Sequence, residues 1–332
     1  MTKVTRKIIC EDHMIDALDG SLKLHLREKR LKGLGKRSEG ALLCVHGQSI
    51  PSTVAFDFPV PGYSWMDYAA RRGFDVFALS LRGFGPSTRP PEMLANPKGA
   101  PPAVRAKEAF RDVVAAVRFI REQYETEKVN LLGWAQGTML SCAFAAAYPK
   151  EAGRLALISP LYLCDEPGSF SLFEDPKKPG ELNPVFFGGA WRWVTQKGQL
   201  HNWNRLIPKG QHGRWREARA VRAYWSEQLR HDPGGARRRV PAVKVPNGLM
   251  ADHYDRTQGL AFFDAAKVKS PALLVRMECD LVSKDPEAQG LFRAMTKSPG
   301  KRYVILGGAT HFAQFEKRRE DLFSEVQGFL ES

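Results

Sequence analysis

The feature that most constrains this chain is a regular alternation of short, mostly apolar runs with amphipathic helical patterns. Ala41 to Val45 is an apolar run that stops at His46-Gly47, Trp65 to Arg72 has helical character, and Asp75 to Leu81 is the next run. Lys107 to Tyr124 follows as a long helical pattern with Phe110, Val113, Val114, Val117 and Ile120 along one side. A run from Val129 to Leu132, a helix from Gln136 to Tyr148 ended by Pro149, and a run from Leu155 to Leu163 continue the series. Apolar runs of strand length set between helices are strands covered on both faces, so the pattern predicts βα units and a mostly parallel sheet. Upstream, Lys7 to Ala17 and Leu22 to Glu28 flank Asp19-Gly20 and predict a β-hairpin with a type I′-like turn.

The alternation breaks between Asp165 and Ser270. It resumes with the strand Ala272 to Arg276, a helix near Pro286 to Met295, the strand Arg302 to Leu306 and a last helix from Arg319 to Leu330. Residues 165–270 therefore read as an insertion, a lid or cap, dividing a core domain made of residues 1–164 and 271–332. Pro167-Gly168, Pro179-Gly180 and Pro233-Gly234-Gly235 mark loops within it, while Pro184 to Lys197 and Arg214 to Arg230 have helical character. Five of the seven tryptophans lie there: Trp191, Trp193, Trp203, Trp215 and Trp225. A helical lid over a pocket in the main sheet accounts for them, and so does simple packing of the lid's own small core.

The formal charge of the 332-residue chain is +14, and its location says more than its size. Between Phe186 and Lys244 stand thirteen Lys and Arg against Glu217, Glu227 and Asp232. A solvated helical face and attraction of an anionic substrate both explain this excess. No nucleic-acid motif accompanies it, which argues against a nucleic-acid partner. The five cysteines (Cys10, Cys44, Cys142, Cys164, Cys279) are odd in number and widely spaced, as expected of reduced thiols rather than a disulfide framework or a metal site. No apolar run reaches the roughly 18 residues of a membrane span, and Met1 to Cys10 has no signal-peptide pattern, so a cytoplasmic location is expected.

The strongest local signal is Leu131-Leu132-Gly133-Trp134-Ala135-Gln136-Gly137-Thr138. A strand, then Gly-x-nucleophile-x-Gly, then a helix is the nucleophile elbow. Its central residue sits in a strained turn with its side chain raised from the sheet, and the small flanking residues let strand and helix approach closely. Here the centre is Ala135, with a methyl group where an attacking oxygen belongs. The partners follow in the expected chain order. Asp280 closes Met277-Glu278-Cys279-Asp280 at the carboxyl end of one strand, and His311 follows another through Gly307-Gly308-Ala309-Thr310. In such a set His311 is the general base, and Asp280 fixes its tautomer and stabilises the imidazolium. The amides of Gln136 and of Gln48, in Val45-His46-Gly47-Gln48-Ser49, are the expected oxyanion donors. His46 falls in the wrong strand order to be the base and reads as a brace for that loop.

With these residues in place the sequence resembles the α/β-hydrolase superfamily, esterase or lipase branch, over Ala41 to Leu163 and Ala272 to Leu330. The stretch Leu81-Arg82-Gly83-Phe84-Gly85-Pro86-Ser87 is similar to the Arg-Gly-x-Gly-x-Ser turn common after the family's fourth strand, and Gly133 to Thr138 resembles an acid-lipase elbow apart from Trp134 and Ala135. The resemblance implies an α/β fold with a mostly parallel eight-stranded sheet, helices on both faces and a helical lid insertion. It also implies a Ser-His-Asp carboxylic ester hydrolase working through an acyl-enzyme, without metal or organic cofactor. Ala135 departs from that pattern. Retention of Asp280, His311 and the Gln48 loop favours replacement of a working serine over evolutionary loss.

Lactonases, amidases and carbon–carbon bond hydrolases share the triad and stay open as alternatives, as does, from another class, a non-catalytic ligand-binding pseudoenzyme. Epoxide hydrolases and haloalkane dehalogenases fit less well: they use an Asp nucleophile, usually with Pro two residues after His-Gly, where Ser49 stands. The expected partner is a small-molecule ester, aromatic and anionic in the reading that uses the basic lid, with Trp134, Trp191, Trp193 and Trp203 as candidate substrate-binding residues. A homo-oligomer is compatible with the sequence.

Overall fold

The computed structural model describes residues 7–33, 39–163, 174–183 and 189–332. Its strands are β1 (Ile8–Asp16), β2 (Lys23–Leu31), β3 (Ala41–Val45), β4 (Asp75–Leu79), β5 (Val129–Trp134), β6 (Ala152–Ile158), β7 (Glu174–Asp175), β8 (Lys178–Leu182), β9 (Trp191–Thr195), β10 (Ala242–Pro246), β11 (Ala272–Cys279) and β12 (Lys301–Thr310). Eight of them form one sheet in the order β1-β2-β4-β3-β5-β6-β11-β12, in which only the β1–β2 and β2–β4 pairings are antiparallel. Every residue of β3 and β4 is buried, as the unbroken apolar runs require of strands covered on both sides. Helices Ala106–Tyr124 and Gln136–Ala147 pack on each other, and helix Trp65–Ala70 packs on the last helix, Arg319–Leu330.

The chain leaves β3 towards one edge of the sheet and later returns to place β5 on the other side of β3. The crevice at the carboxyl ends of β3 and β5 is thus the topological switch point, where open α/β sheets bind ligands. The connections that leave it are the Gln48 loop and the elbow at Ala135.

Two local expectations are corrected. The first hairpin has no primed two-residue turn: residues 17–22 bridge the strands, with the Ala17 amide donating to the Leu22 carbonyl (2.9 Å) and the Gly20 amide to the Ala17 carbonyl (3.0 Å). Only Gly20 has a positive φ (73°), whereas a type I′ turn needs two such residues. The insertion is helical only in part. Residues 191–195 of the stretch read as helical from Pro184 to Lys197 form β9, paired antiparallel with β10, and the helix Gln196–Asn204 begins where that strand ends. The Trp-Arg-Trp-Val-Thr sequence has period two and aromatic and β-branched residues, which suit a strand. β7 and β8 form a second small ribbon, and the expected helix near Arg214 to Arg230 is present as Ala218–Arg230. Cys164, Pro167-Gly168 and Pro184 lie outside the described residues. Cys44 and Cys142 are buried free thiols, while Cys10 is exposed and Cys279 half-buried.

Close backbone approach fixes the switch point. A Cβ added at Gly137 would fall 2.0 Å from the carbonyl oxygen of Val45, and one at Gly133 would fall 2.5 Å from the carbonyl oxygen of Gly137. Both positions are glycine because strand β5, its helix and the end of β3 meet there without room for a side chain. A second tie comes from the Arg82 turn. Asp112, fully buried on helix Ala106–Tyr124, accepts from the Arg82 amide (2.8 Å), Nε (2.9 Å) and Nη2 (2.6 Å), and Arg82 also pairs with Asp19. The adjoining Leu81 amide donates to His46 Nε2 at 3.1 Å, which links this turn to the loop after β3.

Gly137→Ala should cost at least ~2 kcal/mol in urea unfolding, because backbone rather than a flexible side chain must yield. A stability equal to the parent's would contradict the close approach. Asp112→Ala should cost about 3–5 kcal/mol by stripping a buried guanidinium of its main partner, read as a lower denaturation midpoint; a loss within the ±0.5 kcal/mol usual for surface positions would contradict the assigned role.

Candidate active site

Ala135 stands between β5 and helix Gln136–Ala147 with φ 51° and ψ −116°. A non-glycine residue in this region costs of order 1–3 kcal/mol and persists only where the surroundings impose it. Here they do: the Ala135 amide donates to the Ile158 carbonyl on β6 (2.9 Å), and its own carbonyl accepts from the amide (2.8 Å) and hydroxyl (2.6 Å) of Thr138. The elbow keeps its strained shape although a methyl group is all it presents.

His311, at the end of β12, is directed by its neighbours. Its Nδ1 meets Asp280 Oδ2 at 2.9 Å. Asp280 is wholly buried after β11, and its other oxygen accepts from the amides of Val282 (2.8 Å) and Ser283 (3.0 Å). Burial works to raise the Asp280 carboxyl, but the His311 imidazole and the donated hydrogen bonds outweigh it and hold it below the usual carboxylate range. An ionised Asp280 requires the Nδ1–H tautomer of His311, which leaves Nε2 to accept a proton. Two further contacts fix the histidine loop. Glu316 accepts from the amide (3.0 Å) and hydroxyl (2.5 Å) of Thr310, and the indole of Trp134 donates to the His311 carbonyl (3.0 Å).

The loop after β3 lies against the elbow. A Cβ at Gly47 would be 3.1 Å from the Trp134 carbonyl oxygen and 3.2 Å from Ala135 Cβ, so a side chain there would push the loop and the elbow apart by a few tenths of an ångström. The Gln48 amide donates to Gln136 Oε1 (3.2 Å), and Gln136 Nε2 donates back to Gln48 Oε1 (3.1 Å). The side-chain oxygen of Gln136 thus occupies one donor expected to receive a substrate oxygen. The Gln136 amide opens the helix and has no intrahelical acceptor. His46 is a brace, as its position in the chain suggests: fully buried, with Nδ1 on the Gly47 carbonyl (2.5 Å) and Nε2 accepting from Leu81. Burial lowers its pKa to about 4, which keeps the ring neutral.

These residues border a cavity of about 430 Å³, within the range of small-molecule sites. Gln48, Trp134, Ala135, Gln136 and His311 all line it, together with Ile50, Leu206, Met250 and Phe312 as apolar wall. The other three candidate tryptophans do not. Trp203 is fully buried behind Phe312, its indole donating to Glu316 Oε1 at 2.8 Å. Trp191 and Trp193 pack against each other under Lys244, whose Nζ is 3.9 Å from the Trp191 ring centre. Strand alternation explains their placement: Trp191 and Trp193 share one face of β9, and Arg192 turns the opposite way, into the cavity.

Arg192, Arg205 and His253 are lining residues that sequence reasoning did not single out. The first two were hidden in a charge total, and the period-two pattern of β9 was the available signal for Arg192. His253 is held by Arg256, whose Nε donates to its Nδ1 at 2.6 Å. Burial, with the charge of Arg256, pushes its pKa well below the ordinary value, so a neutral imidazole faces the cavity.

Among the described residues one cluster has metal-ligand spacing, Glu11, His13 and Glu28 on the outer hairpin β1–β2, away from this cavity, and Arg30 already pairs with both of its carboxylates. No helix among the described residues is long and apolar enough to cross a membrane.

Comparison with known proteins identifies the fold that carries this geometry. The family model described as alpha/beta hydrolase fold matches residues 40–318. Among solved structures, an esterase from Thermogutta terrifontis determined with malate bound is 16% identical, with a TM-score of 0.63 over 97% of this chain and 98% of that one. A serine hydrolase from Cycloclasticus zankles is 11% identical, with a TM-score of 0.64 over 97% and 98%. Epoxide hydrolase I of potato (Solanum tuberosum) is 21% identical, with a TM-score of 0.60 over 97% and 99%. A search of curated proteins returns no match. The order of the sheet, the elbow between β5 and its helix, and the family match over most of the chain make this protein a member of the alpha/beta hydrolase fold family.

Proposed function

We propose that the site is that of a carboxylic ester hydrolase lacking only its nucleophilic oxygen, and that serine at position 135 restores two-step acyl transfer. The observation that carries this reading is the 2.9 Å contact between His311 and a buried Asp280 at a cavity whose floor is the strained Ala135.

In the serine form, the hydroxyl attacks the ester carbonyl while His311 Nε2 takes its proton. The Gln48 and Gln136 amides receive the oxyanion once the Gln136 side-chain oxygen is displaced, and His311 passes the proton to the departing alcohol. Water activated by the same imidazole then releases the acid. Loss of one oxyanion donor costs about 3 kcal/mol of transition-state stabilisation. With alanine at 135 the chain binds an ester but forms no acyl-enzyme. The apolar wall of Ile50, Leu206, Met250 and Phe312, with the edge of Trp134, suits a small ester with an apolar or aromatic group. Retention of the pair and the loop around a methyl group supports the view that Ala135 replaces a working serine. Lactones, amides and activated carbon–carbon bonds are cleaved by the same machinery and belong in the test panel.

Ala135→Ser should hydrolyse p-nitrophenyl acetate or butyrate in a spectrophotometric assay while the parent chain stays at background. Adding His311→Ala to the serine form should reduce its rate about 10²–10⁴-fold. Inactivity of Ala135→Ser against esters, lactones and amides would contradict the proposal, and saturable ligand binding in that inactive variant would favour a binding protein instead.

A further inference from the structure

Arg192 is a cation held at the cavity by neutral acceptors alone. Its Nη1 donates to Asn247 Oδ1 (2.7 Å) and the Pro246 carbonyl (3.4 Å), and its Nη2 reaches Ser49 Oγ (3.4 Å). All three acceptors are neutral. Two of the five guanidinium N–H groups, one of them on Nε, have no acceptor among the described residues. Burial pushes the group down to about 10, with no acidic neighbour to counter it, yet this leaves it protonated at neutral pH. Its anchorage is fixed: Asn247 is itself buried and donates to the Gly189 carbonyl at 2.8 Å.

The rest of the lining makes the imbalance a property of the site. Arg205 stands exposed at the cavity's border, and among the described residues no Asp or Glu lines the cavity. Asp280 lies behind His311 and is committed to it. A half-buried cation with neutral partners and spare donors is costly unless something anionic arrives to meet it. Ser49 follows the proposed oxyanion donor Gln48 directly, so the guanidinium sits beside the reacting end of the cavity.

The geometry points to a substrate that carries a carboxylate in addition to its ester: Arg192 anchors that carboxylate through its free N–H groups, and Arg205 draws it in from solvent. This specificity assignment rests on the ester-hydrolase reading for the reaction and on Arg192 for the charge. A planar guanidinium held at one edge and open at the other matches a carboxylate in shape as well as charge.

On the proposed reading the parent chain holds an ester without turnover, which allows a direct test by isothermal titration calorimetry at fixed ionic strength. The probes are monobenzyl succinate and its neutral analogue benzyl methyl succinate. The parent should bind the monoanion at least ~tenfold more tightly than the diester, Arg192→Gln should remove that preference, and Arg192→Lys should restore part of it. Equal affinities in the parent, binding of neither ester, or a preference that survives Arg192→Gln would overturn the assignment. If Arg192→Gln fails to fold, the parent's own affinity ratio decides. An active Ala135→Ser enzyme with no preference for the monoanion overturns the anchor alone, whereas an inactive one with an Arg192-dependent preference overturns the hydrolase reading alone.

Discussion

The contact on which this structure depends is the meeting of three backbones at the switch point of the sheet. Gly137, at the start of its helix, lies so close to the end of β3 that a methyl group there would run into the Val45 carbonyl, and Gly133 is crowded in turn by Gly137. With strand and helix pressed together, the residue between them must turn sharply, and Ala135 adopts φ 51° as a consequence. Its side chain then has one direction to take, up into the crevice between the two loops. Strain at the elbow is therefore a product of packing, and it survives when the side chain it serves is reduced to a methyl group.

Everything else in the site is arranged around that point. Arg82, gripped by buried Asp112, carries the Leu81 amide to His46, and His46 holds the Gly47 carbonyl, so the loop with Gln48 is tied through four residues to a helix on the sheet. On the opposite side Asp280 aligns His311, Glu316 holds Thr310, and Trp134 holds the His311 carbonyl. Trp203 brings the segment between β6 and β11 into this second network, since its indole shares Glu316 with Thr310. The segment that carries Trp203 is thus joined to the histidine loop.

How much of this was legible in the sequence follows from how local each signal is. The central strands β3 and β4 are fully buried and most of β5, β6 and β11 is too, so their apolar runs announced them, and the helix Arg319–Leu330 appears with the bounds its periodicity suggested. The elbow, Asp280 and His311 were legible because each sits at a strand end marked by a short motif. The segment between β6 and β11 was less so. β9 pairs with β10 across nearly fifty residues of chain, and from sequence alone its residues fall inside the stretch 184–197 that reads as helical. Without the strand, its two faces could not be separated, so Trp191 and Trp193 were assigned to the pocket while Arg192 disappeared into a net charge. Trp203 faces the core because its indole finds Glu316, a partner distant in sequence.

The central claim is that position 135 lies at the focus of working acyl-transfer machinery. Covalent labelling of Ala135→Ser with a fluorophosphonate, followed by intact-mass measurement and peptide mapping, tests it most directly. The phosphonate should attach once, at residue 135, and the label should be lost when His311→Ala is added. No adduct on Ala135→Ser, or a label at another serine with equal yield in the parent chain, would contradict the account.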